Sequence, residues 1–275
     1  MAVADLGVSR QVERAGAFTA ASIRTLGRLL ELTCTAFAYL IRDVVTGKFS
    51  WREMYAQTTF FAGVSAVPAA LVAIPFGVIV SVQIGSLTQQ IGASSMAGAA
   101  SALGILRQGA PVAAALLIGG AVGSAIAADL GARTVREEID ALRTMGIDPA
   151  RRIIAPRMLA VIVVAPLICI EIIAMGVATG YFINVAFQGG AAGSYIGSFG
   201  QFAGLTDLWA AIFKAELFGI VVVAIAAHRG LEAKGGPRGV ADAVNAAVVL
   251  SVVSSFVLNL VVTQIMSMFV DTKVG

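Results

Sequence analysis

Apolar positions in this chain come in long uninterrupted blocks, and polar positions in short clusters between them. From Met54 to Arg107 the only charged side chain is Arg107, at the very end of the run. A crossing helix needs roughly 20 consecutive apolar residues, so this block holds one full crossing plus a hairpin or the start of a second helix. Charge-free stretches divide the chain into five crossings: about Thr58 to Leu87, Gln108 to Ala128, Met158 to Phe187, Leu208 to Ala227 and Ala243 to Val270. Each is long enough to span a bilayer, several with tilt. The segment before them has a different period. At about 100° per residue, Ile23, Leu26, Leu30, Cys34, Phe37, Ile41 and Val44 share one stripe, while Arg24, Arg28, Glu31, Thr35 and Arg42 share another. That is a basic amphipathic helix, which lies in the membrane interface, packs on the other spans, or does both. The pattern predicts an all-α integral membrane protein. Residues 1–52 form a cytoplasmic N-terminus with the interfacial helix, and residues 53–275 a five-span domain. Gln188 to Thr206, uncharged and glycine-rich, reads as an outer loop or a short re-entrant segment.

Charge fixes the expected orientation. Cytoplasmic loops carry the excess of Lys and Arg. Seven of these residues precede the first span, six lie from Arg133 to Arg157 and three from Arg229 to Arg238, sixteen of the 19 in the chain. The N-terminus is therefore expected inside and the C-terminus outside, in the cytoplasmic membrane. No apolar leader with a small-residue cleavage site opens the chain. The excess of basic residues, net +3, flanks spans and forms no single patch, so no nucleic-acid partner is expected. Cys34 and Cys169 lack the spacing of a disulfide framework or metal clip and read as small buried apolar residues. No cluster of His, Asp or Cys at a span end suggests catalysis or a metal, and His228 reads as an interfacial capping or snorkelling group.

The loop from Gly131 to Ala160 is the sharpest local feature. Thr134 and Glu137 have the spacing of a capping box, which would start a helix at Val135. Gly146 and Pro149 would stop it, giving about residues 134–146, with Val135, Ile139, Leu142 and Met145 on one face and Glu138 and Asp140 elsewhere. Such a helix either lies on the bilayer or docks into a cytoplasmic ATPase whose closure moves the flanking spans. No G-x-x-x-x-G-K-[ST] phosphate loop occurs in the chain, so ATP would have to be handled by a partner.

GSAIAADLGARTVREEIDALRTMGIDPARRIIAPRMLA (Gly123 to Ala160) resembles the signature of the MlaE/YrbE family of ABC lipid-transport permeases. FKAELFG (Phe213 to Gly219) and HRGLEAKGGPRGVADAVNAAVVLS (His228 to Ser251) are similar to its second signature. His228 stands where the family often has Cys, and Asn245 where it often has Thr, as in the actinobacterial Mce branch. The resemblance implies a non-enzymatic transport subunit that binds no cofactor itself. It would pair with a second permease, identical or homologous, and couple through Val135, Glu137, Glu138, Ile139, Asp140, Leu142, Met145 and Gly146 to a dimeric ATPase carrying ATP and Mg. It would abut an MCE-domain assembly outside and pass lipid through a cavity where the permeases meet.

Other residues fit such a path without specifying it. Gly119, Gly123, Ala127 and Gly131 form a small-xxx-small face, for packing within one subunit or between two. Pro68 and Pro75 loosen the first span, as a static kink or a moving gate. Glu171 and Lys214 fall at a common depth, each about 20 Å from the cytoplasmic edge at 1.5 Å per residue. Lys214 is therefore expected to pair with Glu171 or Glu216, structurally or in the substrate route. Leu71, Val78, Val82, Leu103 and Leu258 are candidates for the lining of an apolar cavity. The rival reading is a secondary transporter or channel that uses Glu171 and Lys214 as an ion site and binds no ATPase.

Overall fold

The computed structural model describes residues 25 and 27–269, and among these it is helical throughout, with no strand. The expected positions Ile23, Arg24, Leu26 and Val270 lie outside the described residues. Eight helices follow in order. Helix α1 covers 27–45; α2 is Trp51–Gln90; α3 is Ala97–Val135; α4 is Glu138–Thr144. Then come α5, Ala150–Phe187; α6, Ala192–Phe202; α7, Leu205–Leu231; and α8, Pro237–Phe269. Five of them, α2, α3, α5, α7 and α8, are long and apolar enough to cross a membrane.

Helices in lipid gain little from hydrophobic association with each other and must approach closely to gain dispersion energy. The closest approach runs along α2 and α5. Phe61, Ser65, Ala69, Ala73, Gly77, Ser81 and Gly85 form the buried stripe of α2, four residues apart. A Cβ on Gly77 would stand 2.5 Å from the Gly176 carbonyl oxygen, so only glycine allows this spacing. Ser81 Oγ donates to the Gly180 carbonyl at 2.9 Å, and Gln188 Nε2 donates to the Ser81 carbonyl at 3.1 Å. Helix α2 runs unbroken through Pro68 and Pro75. On α3, Gly119 and Gly123 face Ser251 and Val222, Gly131 faces Val240 and Ala233, and Ala127 is fully buried. This small-residue face is used inside the subunit, against α7 and α8.

Helices α3 and α7 form the centre: 61% of the most apolar stretch of each is buried, against 22% for α2 and α8. The first and last spans are thus perimeter helices with broad exposed apolar faces. Two stretches of α3, Ala102–Gly109 and Ile118–Val122, are wound as π-helix, a geometry concentrated at functional sites.

The apolar stripe of α1 is divided: Leu30 and Ile41 are 65% and 59% exposed, while Phe37 packs against the core beside buried Ala36 and Leu40. One expectation needs correction: Cys34, expected to be buried, is exposed. Cys169 alone of the two cysteines is buried. Within the outer segment, read as a loop or a short re-entrant segment, α6 has 11 residues, too few to cross, and packs on the start of α3, with Gly98 against Tyr195 and Ser198.

Candidate functional site

At one end of the bundle, α3 and α5 are joined through α4. The expected capping box does not form. Helix α3 continues to Val135, and Thr134 turns its hydroxyl back to the Leu130 carbonyl (2.8 Å) and across to the Gly230 carbonyl (3.2 Å). That tie to α7 takes the oxygen a cap would need. Glu137 then adopts a left-handed conformation, φ 60°, and α4 starts at Glu138. The stop is as expected: Gly146 has φ 74°, and the Ile147 and Gly146 N–H groups donate to the Leu142 and Arg143 carbonyls at 2.9 and 3.0 Å, the two bonds of a Schellman closure.

Ile139 is buried and Leu142 half-buried against the core, whereas Met145, expected on the same face, is 64% exposed. The outward face of α4 consists of Asp140, Ala141, Arg143, Thr144 and Met145. Its base is fixed by charge. Glu138 pairs with Arg136 at 3.1 Å and with Arg133 at 3.9 Å. Asp129 on α3 accepts from Arg133 at 3.1 Å and from the buried Arg157 on α5. Charged contacts thus run from α4 through Arg133 and Asp129 on α3 to Arg157 on α5. On the same side, Asp43 of α1 receives both Arg151 Nε and Nη2, at 2.6 and 2.8 Å. His228 lies 3.4 Å from Glu232, which also meets Arg28 at 3.3 Å.

Toward the other end, the buried stripe of α7 contains Ala211, Lys214, Ala215 and Phe218, so Lys214 points into the bundle. It pairs with neither expected carboxylate. Its ammonium donates to the Arg107 carbonyl at 3.2 Å and to Thr263 Oγ1 at 2.9 Å. Glu216 lies two residues on, about 200° around the helix, and positions i and i+2 do not face each other. Glu171 has the right depth but the wrong face: it is two residues from Cys169, whose Sγ meets the Ala211 carbonyl at 3.7 Å. Both glutamates are half-buried, and among the described residues neither forms an ion pair.

The partner that sequence reasoning missed is Asp207, 2.8 Å from Arg107. Arg107, which ends the uncharged run from Met54, lies inside α3, in its first π-helical stretch. Asn259 and Thr263, four apart on α8, complete the cluster, with Asn259 Nδ2 3.4 Å from Gln108 Oε1. Their spacing, one helical turn apart on the last span, was the legible signal. Beside this cluster lies a cleft of about 200 Å³, lined by Gln108, Thr206, Ala210 and Met266 among others. The arrangement offers two cations, one carboxylate and several neutral donors, with no nucleophile and base in contact, and so suits holding a polar group.

The five candidate lining residues do not surround a cavity within one chain. Leu71, Val82 and Leu103 are exposed, at 65%, 48% and 38%, and Val78 and Leu258 are half-exposed. All five present apolar surface to whatever lies outside the subunit. Among the described residues no group of three or more His, Cys, Asp or Glu could hold a metal.

The comparisons with known proteins agree with this architecture. The family described as "Permease MlaE" matches residues 54–265, from the first turn of α2 to the last turns of α8. A "Probable ABC transporter permease protein" of Synechocystis sp. is 29% identical over 81% of this chain and 85% of its own length. The "Intermembrane phospholipid transport system permease protein MlaE" of Haemophilus influenzae is 31% identical over 63% of this chain and 67% of its own. The chloroplastic protein TRIGALACTOSYLDIACYLGLYCEROL 1 of Arabidopsis thaliana is 27% identical, over 82% of this chain and 64% of its own length. With the family model matched across more than three quarters of its length, this chain belongs to the MlaE permease family.

Proposed function

We propose that the chain is the membrane subunit of an ATP-driven lipid transporter, oriented with its Arg-rich end in the cytoplasm. A second permease, identical or homologous, meets the exposed apolar faces of α2 and α8. A separate ATPase dimer, carrying ATP and Mg, docks on α4, and MCE-domain proteins sit on the opposite side. Lipid passes through the space between the two permeases, past Leu71, Val78, Val82, Leu103 and Leu258, and the Arg107–Asp207–Lys214 cluster meets its polar part. The observation that carries this reading is the construction of α4. Its inner side is locked by Ile139 and by the Arg133–Glu138 contact, its outer side is free, and Asp129 and Arg157 tie its neighbours together. A helix built that way transmits a push from a soluble partner to the spans on either side. The name of the Haemophilus relative supports phospholipid as the cargo, and the Synechocystis name supports the ABC class.

The test is purification of the full chain in mild detergent from its native host, with Ala141→Asp and Met145→Asp made in parallel. Both positions are exposed, so the fold should survive. An ATPase present with the wild type and lost in both variants, at unchanged melting temperature, is the expected result. Absence of any ATPase from the wild-type preparation would contradict the proposal.

A further inference from the structure

A second pocket of about 430 Å³ opens at the basic end of the bundle, between α1, the link to α2 and the link from α4 to α5. Arg42, Lys48, Arg151 and Arg152 line it, against two carboxylates, Asp43 and Asp148. Of the two, Asp43 is neutralised by an ion pair, whereas Asp148 keeps its charge. Asp43 is held by the two Arg151 nitrogens, and Asp148 Oδ1 accepts the Ala150 N–H at 2.9 Å. Of the cations, Arg151 is spent on Asp43 and fixed by it, and Arg152 donates only to the neutral Ser50 hydroxyl at 3.0 Å. Among the described residues, Arg42 and Lys48 have no carboxylate within ion-pair reach. The cavity thus presents Arg42, Lys48 and Arg152 against one carboxylate, Asp148, that no cation pairs, an excess of two positive charges.

Its surroundings give its depth. Ile41 and Val45 on α1 are 59% and 80% exposed, and Trp51 and Tyr55 at the start of α2 are 53% and 69% exposed. Apolar side chains beside exposed Trp and Tyr mark the boundary between headgroups and acyl chains, and basic pockets at this level take phosphate-bearing headgroups. We propose that this pocket binds a phosphate anion, and that the anion is the headgroup of an acidic phospholipid in the adjacent leaflet. Such a lipid bridges Arg42 of α1, Lys48 of the link and Arg152 in the first turn of α5, and so ties the interfacial helix to the span that follows the loop helix. The inference is independent of whether the chain moves lipid; only the naming of the leaflet as cytoplasmic rests on the orientation proposed above.

The experiment is hydrogen exchange of residues 27–45 and 146–152 in the full chain, placed in nanodiscs of phosphatidylcholine with or without phosphatidylglycerol. A third arm adds inorganic phosphate to the phosphatidylcholine discs. Phosphatidylglycerol should slow exchange in both segments. The double variant Arg42→Gln/Lys48→Gln should remove that difference, weakening retention of the acidic lipid roughly thirtyfold for two lost cations. Arg152→Gln, which breaks no ion pair, provides an independent second variant with a partial loss. Equal exchange with and without phosphatidylglycerol, or an effect undiminished in the variants, would overturn the site. Protection by inorganic phosphate as strong as that by phosphatidylglycerol would overturn the headgroup assignment in favour of a free phosphate.

Discussion

Lys214 shows how one residue's surroundings differ from its depth. A buried ammonium must be hydrogen-bonded or it costs several kcal/mol; here a backbone carbonyl and the Thr263 hydroxyl supply the acceptors. Replacing Thr263 by Val removes one of them, and the penalty of an under-satisfied buried donor is about 1–3 kcal/mol. A detergent melt should therefore show a lowered midpoint for Thr263→Val, while Lys214→Met, which removes charge and demand together, should stay near the wild type. The reverse order would mean that the contact is not what holds Lys214. Asp43 carries a pH dependence. The Arg151 guanidinium bonded to it holds its carboxyl below the usual carboxylate range. A depressed carboxylate stabilises the fold above its unfolded value of about 3.9 and loses that contribution as pH falls through the lower folded value. Protection of residues 27–45 against exchange, corrected for intrinsic rate, should be flat from neutral to mildly acid pH and fall only below that range. Loss already at neutral pH would contradict it. The Lys214 depth was readable from sequence because rise per residue is constant. Its partners were not, because facing depends on how α3, α7 and α8 are rotated against one another.

At the scale of elements, long apolar runs gave five spans at nearly their observed places, and the structure extends most of them by a few polar turns. Where expectation failed, a tertiary contact outweighed a local rule. Thr134 has the spacing of a cap, yet its hydroxyl reaches Gly230 on α7, and the helix boundary moves to Glu138. The apolar stripe of α1 was visible, but not that Ala36 and Leu40, outside it, would join Phe37 on the bundle side. The ladder of small residues on α2 was equally present in the sequence, four apart from Ser65 to Gly85, and its role is specific. Gly77→Ala would push a methyl against the Gly176 carbonyl and force α2 and α5 apart, an overpacking cost of about 1–3 kcal/mol. Gly63→Ala on the same helix meets nothing within 4 Å and should be neutral or stabilising by up to about 1 kcal/mol from helix propensity. Paired melts of the two variants check this, and equal midpoints would show that the α2–α5 contact is looser than described.

For the whole molecule, α3 and α7 form a dense centre, α2 and α8 are left open toward the membrane, and α4 stands outside on a charged base. That distribution suits a half-transporter: a rigid middle, a perimeter able to meet a second copy, and one handle for force. The rival ion-driven reading puts an ion site at Lys214 and Glu171, and among the described residues these two form no ion pair. The measurement that tests the account most directly is movement of a fluorescent phospholipid in proteoliposomes holding the purified complex, with ATP, without ATP, and with an imposed ion gradient in place of ATP. The account predicts transfer that requires ATP and is lost in Met145→Asp while the fold is retained. Transfer driven by the ion gradient alone, indifferent to ATP and to Met145→Asp, would contradict it.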